Sequence, residues 1–199
     1  MKYKINTAKA LTRKAKMRIF LRWFFYALVL LFFYMIMSCG AFRTWQPKLI
    51  IPLAISVAMF EREFSSSVFA VFCGFILDIA GGMLFGFTSV WLMPCALAAS
   101  LLVVNWIRVN FVNQLWLSAV SCAIIGFMDY LFNYMIWDKP NSEIVLTGFI
   151  LPSMISTVIL SPAVYFLVKL IAGKFGEKEN RELNEAVEDK EEEEVKVKV

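Results

Sequence analysis

The 199-residue chain contains no histidine. That removes imidazole-based triads, most zinc and haem sites and a serine-histidine intramembrane protease. Cysteine is scarce: Cys39, Cys73, Cys95 and Cys122 all stand in apolar runs without CxxC spacing. They read as small hydrophobes, and no disulfide is expected. A phosphate-cradling loop is missing too, since Gly81, Gly82 and Gly86 lie between hydrophobic runs rather than between a strand and a helix. Cofactor, metal and nucleic acid are accordingly not expected. The start of the chain lacks acid: eight Lys or Arg precede Trp23 (Lys2, Lys4, Lys9, Arg13, Lys14, Lys16, Arg18 and Arg22) without one Asp or Glu.

What is present is apolar. The chain is 60% hydrophobic with a mean hydropathy of +0.67, which predicts an all-α membrane protein rather than a soluble fold. Apolar runs fall near Ile19 to Cys39, Leu49 to Phe60, Ser66 to Ala80, Phe85 to Val104, Phe111 to Trp137 and Ile144 to Ala172. Six spans are expected, forming a bundle of about six transmembrane helices. The second and third runs fall short of the roughly 20 residues that cross a core of about 30 Å. Leu49 to Phe60 reads equally as a re-entrant or half-length segment, which tilting, thinning or continuation to Trp45 and Glu61 would bring to full length.

The charge distribution sets the expected organisation. Residues 1–18 read as a basic cytoplasmic segment by the positive-inside rule, residues 19–172 as the transmembrane domain, and residues 173–199 as an acidic cytoplasmic tail, disordered or a frayed helix. From Glu177 onwards ten acids, including the run Glu191 to Glu194, face five bases, with almost no large apolar side chains to build a core. Six spans would leave Arg62 and Arg108 in cytoplasmic loops and Lys169 and Lys174 at the inner end of the last helix. Arg43, Lys48 and Lys139 would lie outside. Trp23, Trp45, Trp106 and Trp137 fall near span ends, where amphipathic rings favour the headgroup region. Ile36-Met37-Ser38-Cys39 resembles a lipoprotein cleavage site, but the apolar run exceeds a 7–15-residue h-region and the stretch reads as an ordinary first span. The basic segment also suits anionic lipid.

The sharpest local pattern is a ladder of small residues four apart: Ser66, Ala70, Gly74, Asp78 and Gly82. A spacing of four follows a packing ridge of an α-helix, and small residues on it let another backbone approach closely. Packing within the chain is the expected use, with an external partner the alternative. Asp78 interrupts an otherwise apolar stretch, where an ionisable group is costly and faces protein or water. Gly81, Gly82 and Gly86 predict a tight hairpin into the next span. Pro94, Pro152 and Pro162 within spans predict kinks. Asp129 also interrupts a span, about 18 residues or 27 Å of helix rise after Phe111, so the two carboxylates would share a depth. A proton-sharing aspartyl dyad is one reading of them. The flanking residues argue against it: Gly74-Phe-Ile-Leu-Asp78 is not GxGD, and Asp129 follows Met128 rather than a tyrosine.

The stretch from Phe69 to Thr88, with Gly74-x-x-x-Asp78, Gly82 and Gly86, resembles the pattern of the bacterial rod shape-determining protein MreD family. The Pro52-Leu53 start of the second run and Glu61 after it fit that family's second span. The resemblance covers approximately Leu21 to Ala172, and its motif is confined to Gly74, Asp78, Gly82 and Gly86; the acidic tail lies outside it. It implies a non-catalytic plasma-membrane subunit of the elongation machinery that binds MreC and, through the complex, connects with MreB, RodA and a class B penicillin-binding transpeptidase. Ala70, Gly74, Asp78, Gly82, Gly86 and Asp129 are the candidate helix-packing or interaction residues. The family is also similar in fold to the substrate-binding components of energy-coupling-factor vitamin transporters, which supplies the alternative function. Such components commonly present Ala-x-x-x-Ala on their first span, whereas here Ala27 is followed four residues later by Leu31.

Overall fold

The computed structural model describes the backbone of residues 13–39, 46–82, 84–106, 109–135 and 146–197. Arg43, Arg108 and Lys139, Trp45 and Trp137, and the leader before Arg13 lie outside the described residues. Six α-helices and no strand occur among those described: α1 (Arg13–Ser38), α2 (Ile50–Phe60), α3 (Glu63–Gly81), α4 (Phe87–Asn105), α5 (Phe111–Tyr130) and α6 (Leu151–Val197). Wider π-helical turns follow α5 at Leu131–Met135 and precede α6 at Leu146–Ile150.

Five helical stretches are long and apolar enough to cross a membrane: Ile19–Ser38, Glu63–Gly81, Phe87–Asn105, Phe111–Asn133 and Leu146–Lys174. The expected full second span is corrected to a shorter helix. α2 has 11 residues, about 16 Å of rise, or roughly half of a 30 Å hydrocarbon core. Its burial explains how so short an apolar helix is tolerated. Every residue from Ile50 to Met59 is buried, as a helix apolar on all sides should be. α2 packs against α3, α4 and α5, so protein surrounds its buried residues.

The chain divides into two compact units, Leu28–Lys169 and a second formed by Met1–Ala27 with Leu170–Val199. In the second unit the described backbone is helical, and α6 continues through the acidic segment to Val197. Trp23 and Tyr26 meet there edge to face with centroids 5.8 Å apart.

The larger unit is a bundle around α2. Its outward residues are apolar, including Leu31, Phe32 and Met35 on α1, Phe72 and Ile79 on α3, Trp116 and Phe127 on α5, and Ile159 and Phe166 on α6. That is the surface lipid tails accept. Many interior hydroxyls are satisfied within their own helices. Ser56 donates to the Pro52 carbonyl, Ser67 to Glu63, Ser121 to Leu117 and Ser156 to Pro152, all at 2.7–2.8 Å. Such back-bonding lets a small polar side chain sit in an apolar interior without an orphaned group. Tyr165 of α6 meets Phe60 at the end of α2 and Phe111 at the start of α5, tilted against the first and edge to face with the second, with ring centroids 5.8 and 6.3 Å apart. Pro94 and Pro162 lie inside α4 and α6, and Pro152 lies just after the π-helical turn that leads into α6.

Candidate functional site

The small-residue ladder of α3 meets α4 at Gly74. Ser66 and Ala70 are fully buried. At Gly74 an added Cβ would lie 2.4 Å from the Ser89 Cα and 2.6 Å from its backbone nitrogen. Only glycine permits that approach. Ser89 completes the contact by donating its hydroxyl to the Val71 carbonyl at 2.9 Å.

Asp78, one turn further along, fastens the start of α4. The Gly86 N–H donates to Oδ2 at 2.8 Å, and the Thr88 N–H reaches Oδ1 at 3.1 Å and Oδ2 at 3.3 Å. Gly86 is the N-cap of α4, and its own side chain offers no acceptor. A carboxylate from the neighbouring helix therefore takes over the role an N-cap side chain usually plays, satisfying amides that helix geometry leaves without partners. Its negative charge also lies at the positive end of the α4 dipole. The two glycines shape the link. Gly82 ends α3 at φ 62° with its N–H returning towards the Asp78 and Ile79 carbonyls, and Gly86 holds φ 91°. Both are left-handed conformations that side-chain-bearing residues resist. Gly82 thus terminates the helix rather than extending the packing ridge.

Asp129 belongs to a different arrangement. Its Oδ2 lies 3.5 Å from the Lys48 ammonium and its Oδ1 accepts the Asn133 amide at 2.7 Å. The Lys48 side chain is 34% exposed and that of Asp129 8%. Lys48 stands on the non-helical stretch before α2, which α6 holds in place. The Lys48 N–H donates to Thr157 Oγ1 at 2.8 Å, and Ser153 Oγ donates to the Gln46 carbonyl at 2.5 Å.

These groups surround a cavity of about 420 Å³, within the range of small-molecule sites. Lys48, Asp129, Thr88, Ser153 and Thr157 supply its polar wall, with Ile51, Leu77, Ile125 and Met154 supplying an apolar one. Gly126 brings α5 close to α6 beside it, where an added Cβ would meet Met154 Sδ at 2.9 Å. Among the described residues no group of three or more Cys, Asp or Glu is arranged to hold a metal ion.

Asp78 and Asp129 thus have separate donor sets, backbone amides for one and Lys48 with Asn133 for the other. Sequence reasoning singled out both acids, yet assigned Lys48 to an outer loop and gave Ser153, Thr157 and Asn133 no role. The available signal was the shortness of the second apolar run: a half-length helix implies that the residues just before it enter the bundle.

Among the described residues, fold and site together define an all-α arrangement with five helices long and apolar enough to cross a membrane and a short buried sixth. No family model, curated protein or solved structure matches the chain.

Proposed function

We propose that this protein is a non-catalytic integral membrane scaffold of the bacterial elongation machinery, of the MreD type, binding MreC and helping to couple MreB to lateral peptidoglycan synthesis and rod shape. The observation that carries the reading is the locked α3–α4 hairpin. Gly74, Asp78, Gly82 and Gly86, the residues of the resemblance, act there as one device: close approach at Ser89, cross-helix capping by Asp78, and a glycine link. A carboxylate committed to two backbone amides serves assembly of a fold rather than chemistry on a substrate, which is what a scaffold requires. The location in this reading is the bacterial plasma membrane with the basic leader cytoplasmic; both termini share that side where α2 and the non-helical segment before it together complete the second crossing.

The second reading, a substrate-binding component of an energy-coupling-factor vitamin transporter, is favoured by one observation, the 420 Å³ cavity with its polar wall. Leu31, which stands where that class commonly has its second alanine, is 62% exposed. An apolar face there suits lipid as well as a partner helix.

Affinity purification of the tagged protein from its native membrane in mild detergent, followed by mass spectrometry, separates the two. The scaffold reading expects MreC together with RodA and a class B transpeptidase. Recovery of paired ATPases with a transmembrane coupling subunit, and no MreC, would replace it with the transporter reading.

A further inference from the structure

We propose that the cavity lined by Lys48 and Asp129 binds a small molecule carrying a primary ammonium and an anionic group a few bonds apart, as in phosphoethanolamine. The site does not depend on the scaffold reading. Three features of the cavity select this chemistry. The first is charge. Lys48 and Asp129 present one positive and one negative group on the same wall, so a simple anion at Lys48 would face Asp129 and a simple cation at Asp129 would face Lys48. An ammonium set against Asp129 and an anionic group set against Lys48 give each protein charge an opposite partner, which matters most where apolar walls lower the local dielectric.

The second is geometry. The N···O separation of 3.5 Å exceeds the 2.7–2.9 Å of a close charge-assisted hydrogen bond. The pair is therefore loosely closed. Its members are nevertheless positioned: Asp129 by the Asn133 amide, and the backbone of Lys48 by Thr157 Oγ1. Opening the pair to admit a ligand leaves both of these hydrogen bonds in place.

The third is size. A volume of about 420 Å³ falls in the range of roughly 300–1,000 Å³ found for small-molecule sites. It is too large for a packing defect and too small for a two-chain lipid, but sufficient for a small metabolite or a lipid headgroup. Ile51, Leu77, Ile125 and Met154 give such a ligand a carbon-facing wall. A primary ammonium, unlike a trimethylammonium, can donate hydrogen bonds to Asp129.

Two experimental arms test the proposal and separate the sources of the ligand. In the first, the full chain in detergent is titrated calorimetrically with phosphoethanolamine, inorganic phosphate and ethanolamine. In the second, it is reconstituted with dioleoylphosphatidylethanolamine or dioleoylphosphatidylcholine and examined by native mass spectrometry for retained lipid. Phosphoethanolamine binding at least tenfold tighter than either half-molecule identifies a soluble ligand. Selective retention of the ethanolamine lipid identifies a headgroup. Asp129→Asn should weaken binding of the preferred probe at least tenfold and raise phosphate affinity above wild type, because Lys48 loses its counter-charge. Lys48→Met should lose the same probe while gaining affinity for ethanolamine. Opposite gains in two variants do not arise from misfolding. Equal affinity for phosphate and phosphoethanolamine with no lipid preference, an unchanged Asp129→Asn variant, or no binding in either arm would overturn the proposal.

Discussion

Replacing Gly74 with alanine tests the hairpin at its tightest point. The new Cβ would lie 2.4 Å from the Ser89 Cα, 2.5 Å from its Oγ and 2.6 Å from its backbone nitrogen. Ordinary contact begins near 3.4 Å, so α3 and α4 must part by about 1 Å, and since two of the three obstructing atoms are backbone, a rotamer change cannot relieve them. Forcing one methyl into a close-packed interior costs about 1–3 kcal/mol. The displacement does not stop there. One turn along, the Asp78 bonds to Gly86 and Thr88 are 2.8 and 3.1 Å long, and stretching them by about 1 Å takes them beyond hydrogen-bond range. Losing that cap adds about 0.5–2 kcal/mol. The expected destabilisation is therefore about 1.5–5 kcal/mol. It is measured by circular dichroism during unfolding in mixed micelles of increasing denaturing-detergent fraction. Adding Ser89→Gly to the variant should restore nothing, because the clash is with backbone. A Gly74→Ala protein within 0.5 kcal/mol of wild type, or one rescued by Ser89→Gly, would refute this account of the interface.

Further outcomes follow from the same geometry. Asp78→Asn should cost about 1–2 kcal/mol by the same measurement, since one oxygen and the charge are lost but one acceptor remains; Asp78→Leu should cost more, and under the proposed scaffold function cells carrying it should no longer yield MreC on purification. Gly126→Ala should be milder than Gly74→Ala, below about 1.5 kcal/mol, because its nearest obstacle is the flexible Met154 sulfur at 2.9 Å, and Met154→Ala should relieve it. Thr157→Val removes the hydroxyl that accepts the Lys48 N–H and should destabilise by about 1–3 kcal/mol, the range for a stranded buried donor. A membrane-impermeant maleimide applied to intact cells should label exposed Cys39 and leave buried Cys73 and Cys122 unmodified until denaturation; Cys39 labelled only after lysis would reverse the proposed orientation.

Much of the α3–α4 hairpin was readable in the sequence because its information is local. Four-residue spacing, one acid in an apolar stretch and glycines at the link all lie between Ser66 and Thr88. Each follows from steric and hydrogen-bonding needs within a few turns. The partners of Asp129 were not readable in the same way. Lys48 is 81 positions from Asp129, and the Lys48 backbone is held by Thr157 across 109 positions; no periodicity reports such pairings. Charge-counting rules also placed Lys48 in a loop because they assume that each apolar run crosses the membrane fully.

The failure of that assumption at α2 connects the remaining features. A helix of about 16 Å covers only about half of a 30 Å core, and residues 46–48 lie in non-helical form before a helix buried from Ile50 to Met59. Exposed peptide groups are intolerable to lipid, and irregular backbone at such depth survives only within protein or beside a cavity. Both conditions are met. α6 supplies the Thr157 hydroxyl as acceptor for the Lys48 N–H and the Ser153 hydroxyl as donor to the Gln46 carbonyl, while the space that α2 leaves unfilled is the cavity that Lys48 lines. Asp129 supplies the charge that a lysine drawn into the bundle needs. Extending α2 upstream to full length would remove the irregular segment, the reason for the two α6 hydroxyls and the space beside them together. The short helix is thus the physical origin of the site, and its length is what a functional cavity would preserve.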